Sequence, residues 1–345
     1  MLAQRLGDDG WLWLSPMRPI GAIPIPMFFA LSGFLVANSM MRSQSVSAFI
    51  TLRVLRLMPA LVCLTFVTAM IIGPVVTELP LGEYFRGTRF FTYWLNAIGD
   101  VRYFLPGVFH WPNRVGVVNI SLWTIPWEIG CYGGILAMFV FGILRRPREV
   151  AFVCLLIWIV LTVQQSLDPV GFDEASRPSG RLLAICFFAG VLLYAFRHQV
   201  PLSRAWFLAS LAASALFLSR ADTAFLAPLP IAYVTVYFGL LDLPRIPVLM
   251  SGDYSYGIYL YAFPMQQLYM WLDPIGLTRF APYHYEWYAN IIFALPMTIV
   301  CAMLSWHFVE GPVMSRRKLV TERVRRFEER MIAGLIPIFT RRKAF

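Results

Sequence analysis

Apolar runs of about 16 to 23 residues recur from one end of this 345-residue chain to the other, broken by short polar or Pro/Gly-bearing connections. A soluble domain cannot bury so many segments of bilayer length at once. The pattern therefore predicts an all-α fold, a polytopic bundle of transmembrane helices rather than a soluble domain with an anchor. Composition agrees: 59% of the residues are hydrophobic and 14% charged, outside the range of ordinary soluble domains. Apolar length places nine spans at roughly 22–41, 54–76, 126–144, 150–168, 181–196, 205–219, 224–241, 253–272 and 287–309.

The single long connection, 77–125, contains "YFRGTRFFTYWLNAIG", an amphipathic stretch with aromatics suited to a membrane interface. Positive residues set the orientation. Arg42, Arg53 and Arg56, then Arg145, Arg146 and Arg148, then Arg197 and Arg204, then Arg245 all fall on one side if nine spans alternate, so that side is expected to be cytoplasmic. Arg86, Arg89, Arg102 and Arg114 lie in the long exterior loop, where they carry little topological weight. The formal charge of +10 thus reads as topology, and nucleic acid is not an expected partner. Residues 313–345 form a basic tail expected to lie as an amphipathic helix on the anionic inner leaflet, with a solvated charged helix as the alternative. Cys63, Cys131, Cys154, Cys186 and Cys301 fall in or beside apolar segments without CxxC or Cys/His spacing, which predicts neither disulfides nor a metal site. His110, His198, His284 and His307 likewise lack metal-binding or triad spacing, and only His307 stands at a span end.

Against this background a few polar residues stand out. In "MFFALSGFLVANS", Ser32 and Gly33 lie inside the first span, where small residues ordinarily serve helix packing. In "FITLRVLRLMPAL", Arg53 and Arg56 are three apart and share a helix face. Such a pair marks topology, and it can also clamp a phosphate-bearing ligand. Glu128, in "NISLWTIPWEIGCY", is an acid near the start of an apolar helix expected to begin near Trp123. A carboxylate there is either a functional group or a helix-terminal charge held by water or a nearby arginine. Asn119 and Ser121 are cap-type side chains beside it, and Trp123 and Trp127 bring amphipathic rings. "SGDYSYGIYLYAFPMQQ" carries a stripe of Tyr254, Tyr256, Tyr259 and Tyr261 with Gln266 and Gln267, as expected of interhelical hydrogen bonding.

Taken together, "FFALSGFL", "FITLRVLRLMPAL", "GPVV", "LPGVFHWPNRVGVVNISLWTIPWEIGCY", "FFAGVLLY", "GDYSYGIYLYAFPMQQ" and "LSWHFVEGP" occur in the order of the acyltransferase-3 family of integral-membrane acyltransferases, which the chain resembles from about residue 20 to 317. The resemblance implies transfer of an acyl group, commonly acetyl, from cytoplasmic acyl-CoA to a hydroxyl of a cell-envelope glycan or lipid-linked saccharide. It implies a membrane domain over 20–312 in the plasma membrane, with the C-terminus cytoplasmic. Acyl-CoA is implied as co-substrate, with no permanently bound cofactor and no metal. Arg53 and Arg56 match the family's paired arginines, where CoA phosphates would bind, and Ser32, Gly33 and Phe34 match its SGF element beside the pantetheine arm. Glu128 is the implied catalytic residue, orienting a base or the acceptor sugar, with Asn119, Trp123 and Tyr256 as acceptor contacts or support.

Members of the family begin with one more span, bearing an arginine and a histidine, for ten in all; that span has no counterpart in these residues. Residues 1–19 read as an exterior segment, and a further span upstream of Met1 is the resulting expectation. The rival readings are a transporter or flippase of a lipid-linked sugar, which would use the same polar groups without chemistry, and an inactive homologue that binds acyl-CoA without transfer.

Overall fold

The structure, a computed structural model, describes residues 18–110, 116–168, 178–220, 222–241, 252–272 and 283–341. The expected exterior segment thus lies almost wholly outside the described residues, as do Arg114, Arg245 and the end of the tail; so do the side chains of His284 and of 331–341. In chain order the longer helices are α1 (Pro24–Ser43), α2 (Val46–Phe66), α3 (Ile125–Val140), α4 (Pro147–Leu167), α5 (Gly180–Ala195), α6 (Arg204–Leu218), α7 (Pro228–Gly239), α8 (Ser255–Leu272), α9 (Tyr283–Ser305) and α10 (Arg317–Arg341). Among the described residues there is no strand, and the fold is all-α.

A helix, one of α1 to α9, lies at each of the nine expected positions, which bears out the helices and not the count of nine crossings. Among the described residues, four stretches are long and apolar enough to cross a bilayer: Pro19–Ser43, Val46–Val76, Pro147–Leu167 and Ile291–Ser315. Boundaries moved where local chemistry overrode apolar length. α2 begins eight residues before the expected 54 because Ser45 caps it, its Oγ accepting from the Ala48 N–H at 3.3 Å. α7 begins four residues after the expected 224, at Pro228, because proline suits a helix's first turn and not its interior.

The described helices gather into two compact units. The first draws on residues within Met1–Gln44 and Thr124–Pro244. At its centre α5 is buried around most of its circumference and packs on α1, α4 and α7. The α1–α5 crossing depends on two glycines used reciprocally. A Cβ on Gly33 would collide with the Phe187 carbonyl, and one on Gly190 with the Ala30 carbonyl. Both positions are therefore restricted to glycine by backbone approach, the packing role expected of small residues in membrane helices. α4 is the opposite case. Only Val150 and Cys154 of its twenty-one residues are buried, and Phe152, Leu155, Leu156, Ile159 and Val163 lie exposed along it. A helix this apolar on its outer surface requires hydrocarbon around it.

The second unit draws on Ser45–Trp123 and Arg245–Phe345. α2 continues into a π-helical stretch, Val67–Ile72, and α9 into another, Trp306–Glu310. Both end at a Gly-Pro pair, Gly73-Pro74 and Gly311-Pro312. The reason is a missing donor. Proline has no N–H, and each glycine bonds five residues back instead of four, Gly73 to the Thr68 carbonyl and Gly311 to the Trp306 carbonyl. In the first stretch this leaves the Ala69 carbonyl without a helical donor, and the Tyr84 hydroxyl fills the place at 2.7 Å.

Tyr84 comes from the long connection, which is not an interface loop throughout. Its short helices Leu81–Arg86 and Thr88–Tyr93 bury Tyr84 and Tyr93 completely, in a core shared with Ile72, Leu105, Phe109, Met265 and Tyr269, whereas Phe91 stays exposed. The hydroxyls explain the burial. Tyr84 satisfies Ala69, and Tyr93 lies 3.1 Å from the Thr68 hydroxyl. The basic tail forms α10, which packs along α2 and is tied to it where the Ser47 hydroxyl donates to Glu328.

Candidate functional site

In the second unit, a basic centre forms midway along α2. The i, i+3 spacing puts Arg53 and Arg56 on one face, and the tertiary fold then treats them differently. The Arg56 Nη2 donates to the Asp253 carboxylate at 2.8 Å, and its guanidinium lies 5.6 Å from the centroid of the Tyr256 ring. Asp253 is itself held, because its Oδ1 accepts from the Ser255 hydroxyl at 2.7 Å as α8 begins. Arg53 lies over the Phe49 ring at 5.7 Å. Asp253 engages Arg56 through a single nitrogen, so further N–H groups of the same guanidinium can still bind an anion. Stacking on a buried tyrosine fixes the plane in which those donors point.

The π-helical stretch Trp306–Glu310 packs on α2 and adds a buried acid to this region. Glu310 is 2% exposed and accepts from the Ser305 hydroxyl at 2.7 Å. His307 is exposed; its Nδ1 is 2.9 Å from the Met303 carbonyl, and its ring stacks on Tyr254. Tyr261 donates to the Cys63 thiol at 3.3 Å.

Further along the same unit, three hydrogen bonds fasten residues 117–121 to α8. The Asn119 Nδ2 donates to the Leu260 carbonyl at 2.8 Å, the Tyr259 hydroxyl donates to the Ser121 carbonyl at 2.7 Å, and the Gln267 amide donates to the Val117 carbonyl at 2.9 Å. Asn119 is wholly buried, with its Oδ1 accepting from the Ser121 N–H at 3.0 Å. This replaces the expected cap: the residue before α3 is Thr124, which makes no side-chain cap bond, and α3 begins at Ile125 rather than near Trp123. Trp123 is half-buried.

The first unit holds Glu128, Ser32 and Gly33. Glu128 lies in the first turn of α3, is 4% exposed, and accepts from the hydroxyl of Tyr132 one turn on. A helix N-terminus favours the charge, and the phenol supplies the hydrogen bond a buried carboxylate needs. Ser32 is half-buried on α1. The face of Gly33 that a side chain would occupy is filled by the Phe187 backbone, so the residue has a packing role in the α1–α5 crossing.

Of the residues singled out from sequence, Arg53, Arg56 and Tyr256 come together, and Asn119 belongs to the clamp on α8. Asp253 and Glu310 were missed. Asp253 stands in a short Ser-Gly-Asp stretch before α8 that carries no local signal of an arginine partner. Glu310 carried a signal, an acid beside a Gly-Pro pair at the end of an apolar span.

A family model described as an acyltransferase domain matches residues 4–307. The chain is 26% identical over 328 residues to an "O-acetyl transferase" of Shigella phage Sf6, with 88% of each chain covered. It is 26% identical over 363 residues to "Nodulation protein 10" of Rhizobium leguminosarum bv. viciae, with 93% of each covered. No solved structure matches. With nearly all of its length inside the family model, the chain belongs to the acyltransferase-3 family and is an acyltransferase.

Proposed function

We propose that this protein is an integral-membrane O-acyltransferase that moves an acyl group, acetyl in the first instance, from acyl-CoA to a hydroxyl of a cell-envelope glycan or lipid-linked saccharide. The name of the phage relative supports acetyl. The observation that carries the donor assignment is the Arg53–Arg56 face, with one guanidinium stacked and held by a single contact while other N–H groups are left to bind phosphate. In this reading the nine helices α1 to α9 cross the plasma membrane with the arginine-rich connections and α10 on the cytoplasmic side. The basic face of α10 then lies against anionic headgroups.

Chemically, the acceptor oxygen attacks the thioester carbonyl, the C–S bond breaks, and CoA leaves as the thiol. A base must take the acceptor's proton. Glu128 either orients that base or holds the acceptor sugar through its hydroxyls, and either role offsets the cost of keeping an acid in an apolar helix. Asn119, Trp123 and Tyr256 support the acceptor side or the framework.

Membranes carrying the protein, incubated with labelled acetyl-CoA and envelope glycan, should yield labelled O-acetyl esters that are absent from membranes lacking it. A deletion strain should lose the same esters from its envelope. Binding of acetyl-CoA without any transfer would leave a binding homologue, and transport of a lipid-linked sugar without acylation would leave a flippase.

A further inference from the structure

Glu310 poses a chemical problem that the packing around it does not solve. The carboxylate is 2% exposed, and only one oxygen is used: Oε1 accepts from Ser305, whereas Oε2 is buried and has no hydrogen-bond partner among the described residues. A buried acceptor of this strength without a donor is costly, and more so when charged. The acid sits at the end of a π-helical stretch, an irregularity set by the Gly311-Pro312 pair and common at functional sites. Its π-helical stretch packs on α2, the helix that carries Arg56. Arg56 forms its ion pair with Asp253 instead.

This region therefore holds a cation suited to phosphate and, on the stretch packed against that cation's helix, a buried acceptor that requires an O–H or N–H donor. Acyl-CoA carries that combination. Immediately beyond its pyrophosphate the pantetheine arm presents a hydroxyl and then an amide N–H.

We propose that Glu310 is a second donor-binding residue, whose Oε2 accepts a hydrogen bond from the hydroxyl or first amide of the pantetheine arm while the adjoining phosphates lie on Arg56. The inference rests on the acyl-CoA reading above and adds to it the part of the ligand that this carboxylate reads. The exchange of Oε2 for an amide NH2 in Glu310→Gln keeps the shape and turns the acceptor into a donor.

The test compares two ligands on the purified full chain in lipid nanodiscs: CoA, and 3′-phospho-ADP, which is CoA without its pantetheine arm. Glu310→Gln should weaken CoA about tenfold, the scale of one charge-assisted hydrogen bond, and leave 3′-phospho-ADP within about twofold. Arg56→Ala should weaken both. Equal loss for both ligands in Glu310→Gln would mean the acid acts through Arg56, and no loss for either would mean that it touches no ligand; each result overturns the proposal. Should the variant not fold, the wild type decides. A hydrophobic carbodiimide should label Glu310, mapped by mass spectrometry, more slowly with CoA present than with 3′-phospho-ADP, and equal labelling overturns the proposal. A wild type that binds no CoA removes the donor reading and this assignment with it. CoA binding that ignores Glu310 removes the assignment alone.

Discussion

The side-chain amide of Asn119 donates at 2.8 Å to the carbonyl of Leu260, the one carbonyl of α8 that Pro264 leaves without a helical donor. In an α-helix residue 264 would supply that N–H to residue 260, and proline has none. Tyr84 does the same for Ala69 at the Pro74 break, at 2.7 Å. In both places a residue from the long connection closes a gap that proline opens in an apolar helix. The connection is thereby held to the bundle by bonds that an apolar surrounding makes costly to lose.

Asn119→Ala should therefore destabilise the folded protein by about 1–3 kcal/mol, the cost of a buried carbonyl left without a donor. The decisive measurement is a double-mutant cycle by thermal or denaturant unfolding in detergent. In a Pro264→Ala background, where the backbone N–H is restored, the same asparagine change should cost markedly less. Equal costs in the two backgrounds would show that Asn119 stabilises by some other contact.

Tyr84 makes a pH prediction with a fixed sign. Burial, the main cause, and the neighbouring Tyr93 raise the Tyr84 phenol above its ordinary value of 10.0. A phenol raised in the folded state contributes its full stabilisation below the unfolded pKa and loses it as pH climbs above about 10. Stability should be flat with respect to this group up to that pH and fall beyond it. Tyr84→Phe should lower stability at neutral pH by about 1–3 kcal/mol and flatten part of the alkaline fall. An unchanged alkaline limb in the variant would mean that other groups produce it.

Arg53→Ala and Arg56→Ala should each weaken acyl-CoA binding by about 1.5–3 kcal/mol, roughly ten- to a hundredfold, if each makes charged hydrogen bonds to phosphate. Topology should survive, because many other arginines flank the helices. Isothermal titration in nanodiscs reads the first effect and cysteine accessibility the second. Unchanged affinity in both variants would reduce the pair to topology markers.

Glu128→Gln should abolish most acyl transfer while the protein still inserts and folds, since the shape and the Tyr132 contact survive and the charge does not. Initial rates with saturating acyl-CoA, alongside unfolding curves, provide the check. Retention of more than about half of parental turnover, a change too small to matter on the scale of barrier heights, would assign Glu128 a structural role.

The helices were legible in the sequence because apolar length and proline or serine punctuation act locally. The segment from Phe28 to Ala37 is predominantly apolar whatever surrounds it, and Ser45 caps α2 through a bond to Ala48 three residues away. The shared face of Arg53 and Arg56 was legible for the same reason, being fixed by helical spacing. The resemblance to membrane acyltransferases was legible because its motifs are short and ordered along the chain. Only the tertiary structure decided the rest. It gave Arg56 to Asp253 rather than leaving it as a membrane-edge charge, spent Asn119 on Leu260 rather than on a helix cap, buried Tyr84 rather than placing it at an interface, and filled the open face of Gly33 with Phe187. Each of those outcomes joins residues distant in the chain. A polar side chain in an apolar segment announces that it needs a partner, but which partner is set by where the packed helices bring an unsatisfied donor or acceptor within about 3 Å of it.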